Sequence, residues 1–272
     1  MKDGLLKIAT CQFAVGSSIK SNSRQIQSYI RRSARCGADI VHFPECALCG
    51  YVGTDFASFE GFDWGLLETE AGKITAVAAQ VGVWVVLGSV HKSGKPERLR
   101  NSLLLIDSGG KIADRYDKRF CIRGELRRFI PGDRFVEFTI NGVKCSLLIC
   151  FEVRFCEIYR YLYKKGVNCI FQSFYNARQQ GPSVHTHIMR QSVQCRAACN
   201  HFWISMCNAS GYYSPYPSCF IQPDGKIVKQ LRFNRAGMMI NTVDLSQRFY
   251  DPSADYRDMA IRGRFDNKPE NQ

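Results

Sequence analysis

At 272 residues with 45% hydrophobic content, the chain can bury a sizeable core, and its length fits one large α/β domain as well as two small ones. No stretch approaches the roughly 18 consecutive apolar residues of a membrane-spanning helix, and Met1-Lys2-Asp3-Gly4 leads straight into a strand-like run without a signal segment, so a cytoplasmic protein with no membrane partner is expected. A formal charge of +13 raises the class of nucleic-acid binders, but Lys and Arg are scattered and no nucleic-acid motif or basic tail accompanies them, so no nucleic-acid partner is expected.

In chain order, residues 5–13 read as a strand and 21–36 as a helix, with Ile26 and Ile30 one turn apart and Gly37 as its stop. Residues 39–43 form a short buried strand ending at Pro44-Glu45. A helix over 70–81 stops before Gly82, and the nearly all-apolar run 83–90 is a strand covered on both faces. Residues 102–107 and 111–116 pair across Gly109-Gly110. Residues 134–140 and 143–149 pair across Asn141-Gly142, the strongest short hairpin signal in the chain. A helix over 157–165, a strand over 167–172, a long helix over 184–199 and a strand over 201–207 follow. Residues 218–222 and 226–231 pair across Asp224-Gly225, 237–243 is the last strand, and 245–272 is polar and irregular. Helices alternate with buried strands but hairpins interrupt them. The expectation is a mixed sheet with helices over one face, as a single domain spanning 1–272, with no internal repeat or linker.

Cys150 stands out. The apolar run Ser146-Leu147-Leu148-Ile149 ends at it, and Phe151-Glu152-Val153-Arg154-Phe155-Cys156-Glu157, charged and helix-compatible, follows at once. A nucleophile held on a sharp strand-to-helix turn has this context, because there the side chain projects from the sheet and backbone N–H groups can meet an oxyanion. A buried structural cysteine fits the same window. The 13 cysteines, odd in number and scattered through apolar segments, read as reduced thiols. Cys46 and Cys49 have redox or zinc spacing without a second pair, and His185-Thr186-His187 lacks a partnering Cys or carboxylate; no metal is expected. Lys118, Arg119, Arg123, Arg127 and Arg128 form the densest basic cluster, either a solvated loop or an electropositive mouth that draws an anionic substrate.

Three windows, in this order, carry a resemblance: His42-Phe43-Pro44-Glu45-Cys46-Ala47-Leu48-Cys49-Gly50-Tyr51, Tyr116-Asp117-Lys118-Arg119-Phe120, and Ile149-Cys150-Phe151-Glu152-Val153-Arg154-Phe155-Cys156-Glu157. They resemble the Glu, Lys and Cys motifs of the carbon–nitrogen hydrolase (nitrilase) superfamily. Glu125-Leu126-Arg127-Arg128-Phe129 with Gly132 resembles the segment carrying its second glutamate, and Arg196-Ala197-Ala198-Cys199-Asn200 resembles a helix end of the family. The likeness spans roughly residues 5 to 245. Phe151, Cys156 and Cys199 depart from the family's usual aromatic with a polar edge, proline and glutamate.

The resemblance implies a four-layer αββα sandwich with mixed sheets, no cofactor, and a homodimer paired through exposed helices (157–165 and 184–199), with the tail after Val243 crossing to the partner. It implies a Glu45, Lys118 and Cys150 triad with Glu125 orienting Lys118, on positions that taken singly read as a surface carboxylate and a solvated lysine. Cys150 would attack an amide carbonyl to give a thioester, Glu45 would carry the proton, and Lys118 with the Phe151 backbone N–H would stabilise the oxyanion. Tyr51 and the Phe174-Tyr175-Asn176 segment occupy positions resembling substrate-lining segments, with a core aromatic the favoured reading of Phe174. Arg154 is expected to clamp Glu152 behind the nucleophile. Glu152-Val153-Arg154-Phe155 looks more like the amidase branches, acting on small linear amides or N-carbamoyl compounds, than the nitrile-cleaving branch, which remains the second reading. A nucleic-acid binder and an inactive scaffold are the competing classes.

Overall fold

The structure, a computed structural model, describes residues 3–92, 94 and 99–268. The first half runs β1 (Leu5–Gln12), α1 (Ile19–Arg35), β2 (Ile40–His42), α2 (Trp64–Val81), β3 (Trp84–Lys92), β4 (Leu99–Ile106) and β5 (Ile112–Asp117). The second runs β6 (Glu137–Ile140), β7 (Val143–Ile149), α3 (Cys156–Lys164), β8 (Cys169–Ser173), α4 (Val184–Asn200), β9 (Trp203–Cys207), β10 (Cys219–Ile221), β11 (Ile227–Gln230), β12 (Gly237–Asp244) and α5 (Ala254–Ile261).

Two six-stranded sheets result, ordered β12-β1-β2-β3-β4-β5 and β11-β10-β9-β8-β7-β6. Both are mixed: β1, β2 and β3 are parallel, as are β7, β8 and β9, and hairpin strands flank them. Strand alternation sets the layers. Ile8, Ile40 and Val86 pack towards Leu147, Phe171 and Ile204 of the second sheet, while Ala9, Val41 and Val85 pack against Ile26 and Ile30 of α1 and Ile74 of α2. Ile158 and Leu162 of α3 and Met189 and Val193 of α4 cover the other side of the second sheet. The αββα sandwich with mixed sheets is therefore present.

Polar side chains also bridge the two sheets. His42 Nδ1 lies 2.8 Å from Ser205 Oγ and its Nε2 2.8 Å from Ser173 Oγ, and Ser205 Oγ lies 2.8 Å from Thr10 Oγ1. Ser173 Oγ donates to the Phe43 carbonyl at 3.0 Å, which ties the end of β2 to the end of β8.

The element boundaries show what sequence pattern captures. At Asn141 (φ 50°) and Gly142 (φ 77°) both turn residues have positive φ, the mirror-image turn that an Asn-Gly pair favours. α1 begins earlier than expected because Ser18 caps it, accepting the Ser21 N–H at 3.3 Å. α2 starts at Trp64 rather than at 70, since Asp63 Oδ1 accepts the Leu66 N–H at 2.8 Å. The polar stretch after 245 contains α5, whose Arg257 Nε donates to the Cys199 carbonyl at 3.0 Å. That helix is held by tertiary contact, so no local pattern announced it.

Candidate active site

Glu45 follows β2 on a segment that crosses β3 where Gly88 stands. A Cβ there would lie 2.1 Å from the Pro44 carbonyl oxygen, so the close approach requires glycine. The Glu45 side chain is fully buried. Its Oε1 accepts from Asn101 Nδ2 at 2.7 Å and from Lys118 Nζ at 2.9 Å, and its Oε2 from the Tyr175 N–H at 2.9 Å. Lys118 follows β5, and Glu125 opens a short 3-10 turn. Lys118 Nζ also lies 2.8 Å from Glu125 Oε1, which accepts the Tyr51 hydroxyl at 2.8 Å, while Glu125 Oε2 accepts the Ile122 N–H at 2.9 Å. One buried ammonium is thus shared by two buried carboxylates that are 80 residues apart in the chain. Asn101, on β4, braces both of them.

Cys150 directly follows β7 and heads a 3-10 turn through Arg154. Its φ of 45° is in the left-handed region, which a side chain with a Cβ enters at a cost of about 1 kcal/mol or more. Glu152 holds that turn. It is fully buried; Oε2 accepts the Ile149 N–H at 2.6 Å, and Oε1 accepts the Tyr116 hydroxyl and the Arg119 N–H, each at 2.7 Å. The nucleophile turn is thereby fastened to the strand end that carries Lys118. Arg154 does not clamp Glu152: backbone amides and a tyrosine take those oxygens, and Arg154 is exposed, with no ion-pair partner among the described residues. Asn176 Nδ2 lies 3.4 Å from Cys150 Sγ, and Asn208 Oδ1 fixes Asn176 by accepting its N–H at 2.8 Å.

The charges decide how the thiol can react. Burial, and then Glu45, push the Cys150 thiol well above its ordinary range, against the pull of Lys118. Burial raises Glu45 above the ordinary carboxylate range as well, with Lys118 opposing and Glu125 reinforcing. Burial works against the Lys118 charge, but Glu45, Cys150 and Glu125 outweigh it and hold the ammonium well above the usual lysine range. Burial thus favours the neutral thiol over the thiolate at Cys150. Such a thiol becomes a nucleophile only when a neighbouring base takes its proton.

A cavity of about 450 Å³ opens onto Cys150 and Lys118. Tyr51 and Tyr175, stacked with ring centroids 4.8 Å apart, form one wall, and Phe151, Asn176 and Met189 contribute others. Of the expected lining residues, Tyr51, Phe151 and Asn176 face this space. Phe174 does not: its ring is fully buried, edge-on to Tyr216 at 5.6 Å, and only its carbonyl serves the site, accepting the Glu45 N–H at 3.3 Å. Of the basic cluster only Lys118 is on this wall. Arg119 stacks over Phe135 at 4.1 Å, and Arg123, Arg127 and Arg128 are not on the cavity wall; Arg154 and Arg178 are the arginines there. Arg178 is committed, with Nε 2.8 Å from Asp55 Oδ1. Tyr175 was in a segment expected to line the site and does so, whereas Asn101 had no distinctive sequence signal beyond a polar residue in an apolar strand, and the hub role of Glu152 had none. Among the described residues no cluster of three or more His, Cys, Asp or Glu is placed to hold a metal ion, and no helix is long and apolar enough to cross a membrane.

Comparison with known proteins identifies the family. Relatives include a hydrolase in the agr operon of Staphylococcus lugdunensis, 29% identical over 76% of this chain and 88% of its own. An (R)-stereoselective amidase of a Pseudomonas species is 33% identical over 64% of this chain and 60% of its own, and a 2-oxoglutaramate amidase of Bacillus subtilis is 27% identical over 75% and 76%. A mutant of an amidase of the nitrilase superfamily from Nesterenkonia AN1 has the same fold, with a TM-score of 0.78 over 95% of each chain at 21% identity. The carbon-nitrogen hydrolase family model matches residues 7–248. With that match spanning both sheets, the chain belongs to the carbon-nitrogen hydrolase family, in its amidase-like part, and is an enzyme acting on C–N bonds other than peptide bonds.

Proposed function

We propose that this enzyme hydrolyses a small linear amide or N-carbamoyl compound through a thioester on Cys150. The observation that carries the reading is the buried Glu45–Lys118–Glu125 cluster, whose Lys118 is on the wall of the cavity where Cys150 sits. In this reading Glu45 takes the thiol proton as Cys150 Sγ bonds to the carbonyl carbon. Lys118 Nζ and the Phe151 N–H hold the resulting oxyanion. The C–N bond then breaks, and Glu45 returns the proton to the departing amine or ammonia. Water, deprotonated by Glu45, attacks the thioester, and the acid leaves as the thiol is restored. Burial of Glu45 suits both halves, because a raised carboxyl pKa makes it a better base and an adequate acid.

The preference for an acidic substrate rests on Arg154, the cavity arginine without an ion-pair partner among the described residues. Matched panels of amides and nitriles, with and without a carboxylate, test both parts. Acid release from amides with negligible turnover of the matched nitriles supports the amidase reading, and preferred nitrile turnover overturns it. Arg154→Gln is expected to raise KM for the carboxylate-bearing amide about tenfold or more and leave the neutral amide unchanged. Equal effects on both would remove the acidic preference.

A further inference from the structure

The two tyrosines that wall the cavity are tied to one carboxylate that the hydrolytic steps do not use. The Asp55 side chain is fully buried. Its Oδ2 accepts the Tyr51 N–H at 2.8 Å and the Tyr175 hydroxyl at 2.7 Å. Its Oδ1, which no N–H or O–H addresses at a hydrogen-bonding angle, lies 2.8 Å from Arg178 Nε, so the two meet as an ion pair. A buried carboxylate is costly unless it is hydrogen-bonded and paired with a cation, and Arg178 is that cation. Arg178 also belongs to the cavity. It is on the wall, and its side chain is 45% exposed. Its φ of 55° is a conformation that a residue with a Cβ adopts at a cost. Its N–H on the Gly211 carbonyl at 3.2 Å and its Nη2 on the Val15 carbonyl at 3.0 Å hold it there.

We propose that Asp55 is a positioning residue that sets the charge specificity of the cavity: it masks Arg178, so that the site takes an amide bearing one carboxylate rather than two. The wall carries three fixed cations. Lys118 is shared by Glu45 and Glu125, Arg178 is paired with Asp55, and Arg154 has no ion-pair partner among the described residues. An anion that approaches Arg178 also meets the Asp55 charge directly behind it, and the two contributions largely cancel. One arginine is left to bind a carboxylate. Removing the Asp55 charge without changing its shape would give the cavity a second free guanidinium. The same carboxylate holds the Tyr51 backbone and the Tyr175 hydroxyl, and those residues donate to Glu125 and Glu45. A role confined to holding the tyrosines would therefore affect every ligand alike, whereas masking affects ligands according to their charge. The proposal rests on the reading of this cavity as an amide site.

Dissociation constants are measured on full-length Cys150→Ala protein, so that they do not depend on turnover. The ligands are three amides of matched size with no carboxylate, one and two. With Asp55 in place, the second carboxylate is expected to bring no gain over the first. Asp55→Asn keeps the shape and removes the charge, and it is expected to tighten the two-carboxylate amide about threefold or more relative to the neutral one. Adding Arg178→Gln should abolish that gain. Equal shifts for all three amides, or a gain that survives Arg178→Gln, overturn the masking. Arg178→Gln alone provides a second check should Asp55→Asn fail to fold. With Asp55 present it is expected to shift the neutral and the two-carboxylate amide alike, and a selective loss of the two-carboxylate amide would show that Arg178 is already unmasked and overturn the proposal. Turnover of the same amides by protein that retains Cys150 tests the hydrolase reading separately. Absent turnover with the expected binding ratios removes that reading and leaves the masking intact, whereas no binding of any amide by folded protein overturns both.

Discussion

Lys118 holds two carboxylates with one charge, and the acid–base behaviour of the site follows from that sharing. Glu45 acts as a base only when ionised, and burial together with Glu125 raises its pKa above the ordinary 4.5. kcat/KM should therefore rise with pH through a limb lying above the usual glutamate range. Glu125→Gln removes a negative charge that favours the protonated form of Glu45, so the limb should move to lower pH. The same change leaves Lys118 with one anchor where it had two, and kcat should fall about tenfold or more. A pH profile of Glu125→Gln against wild type checks both, and a limb that stays put or moves upward contradicts the account. At this scale the sequence was informative by itself only at Cys150, a cysteine closing an apolar run; Glu45 and Lys118 stood out only through the family likeness. It was silent on Asn101 and gave Glu152 the wrong partner, because the work of both consists of hydrogen bonds to groups far away in the chain.

Strands β2 and β8 end side by side, and His42 fastens them. Its buried imidazole is pushed down to about 3, chiefly by burial, from an ordinary value of 6.5. The folded state holds it neutral while the unfolded chain takes up a proton below 6.5. Stability from this residue is complete above that value and is lost as pH falls from 6.5 towards 3, at about 1.4 kcal/mol per pH unit. Urea midpoints at about pH 7 and about pH 5 should separate more for wild type than for His42→Gln, which has no such proton to gain. An equal separation in both proteins would mean that the histidine is not held neutral. Elements with strong local punctuation were legible, as the Asn141-Gly142 hairpin and the Gly82 stop of α2 show. The first turns of α2 were not, because Asp63, the residue that caps them, lies amid aromatics and glycines that look like loop. Nor was α5, a polar helix whose anchor is Arg257 on the end of α4.

Taken whole, the molecule exposes apolar side chains on α3 and the tail, and Tyr161 and Phe265 share one surface groove. Tyr161 of α3 is 43% exposed, Tyr250 and Phe265 in the tail are each 89% exposed, and Tyr256 of α5 is 48% exposed. Clustered exposure of this kind marks an interaction surface, and we propose that a second copy covers it. Sedimentation at micromolar concentration should give at least a dimer, and removing residues 246–272 should weaken it; a monomer of the full chain would refute the pairing. Alternating strands and hairpins made a mixed sheet foreseeable, and the two-sheet sandwich was foreseeable only through the family likeness. The meeting of residues 45, 118 and 150 was foreseeable only through the family likeness, since no spacing rule joins positions so far apart. The thioester on Cys150 is the claim on which everything else depends, and mass spectrometry of protein quenched during turnover of an amide tests it most directly. An acyl group of the substrate's mass is expected on the peptide containing Cys150, absent from Cys150→Ala, which should keep its circular dichroism and lose activity. Undiminished hydrolysis by Cys150→Ala, or an acyl group carried on another cysteine, would contradict it.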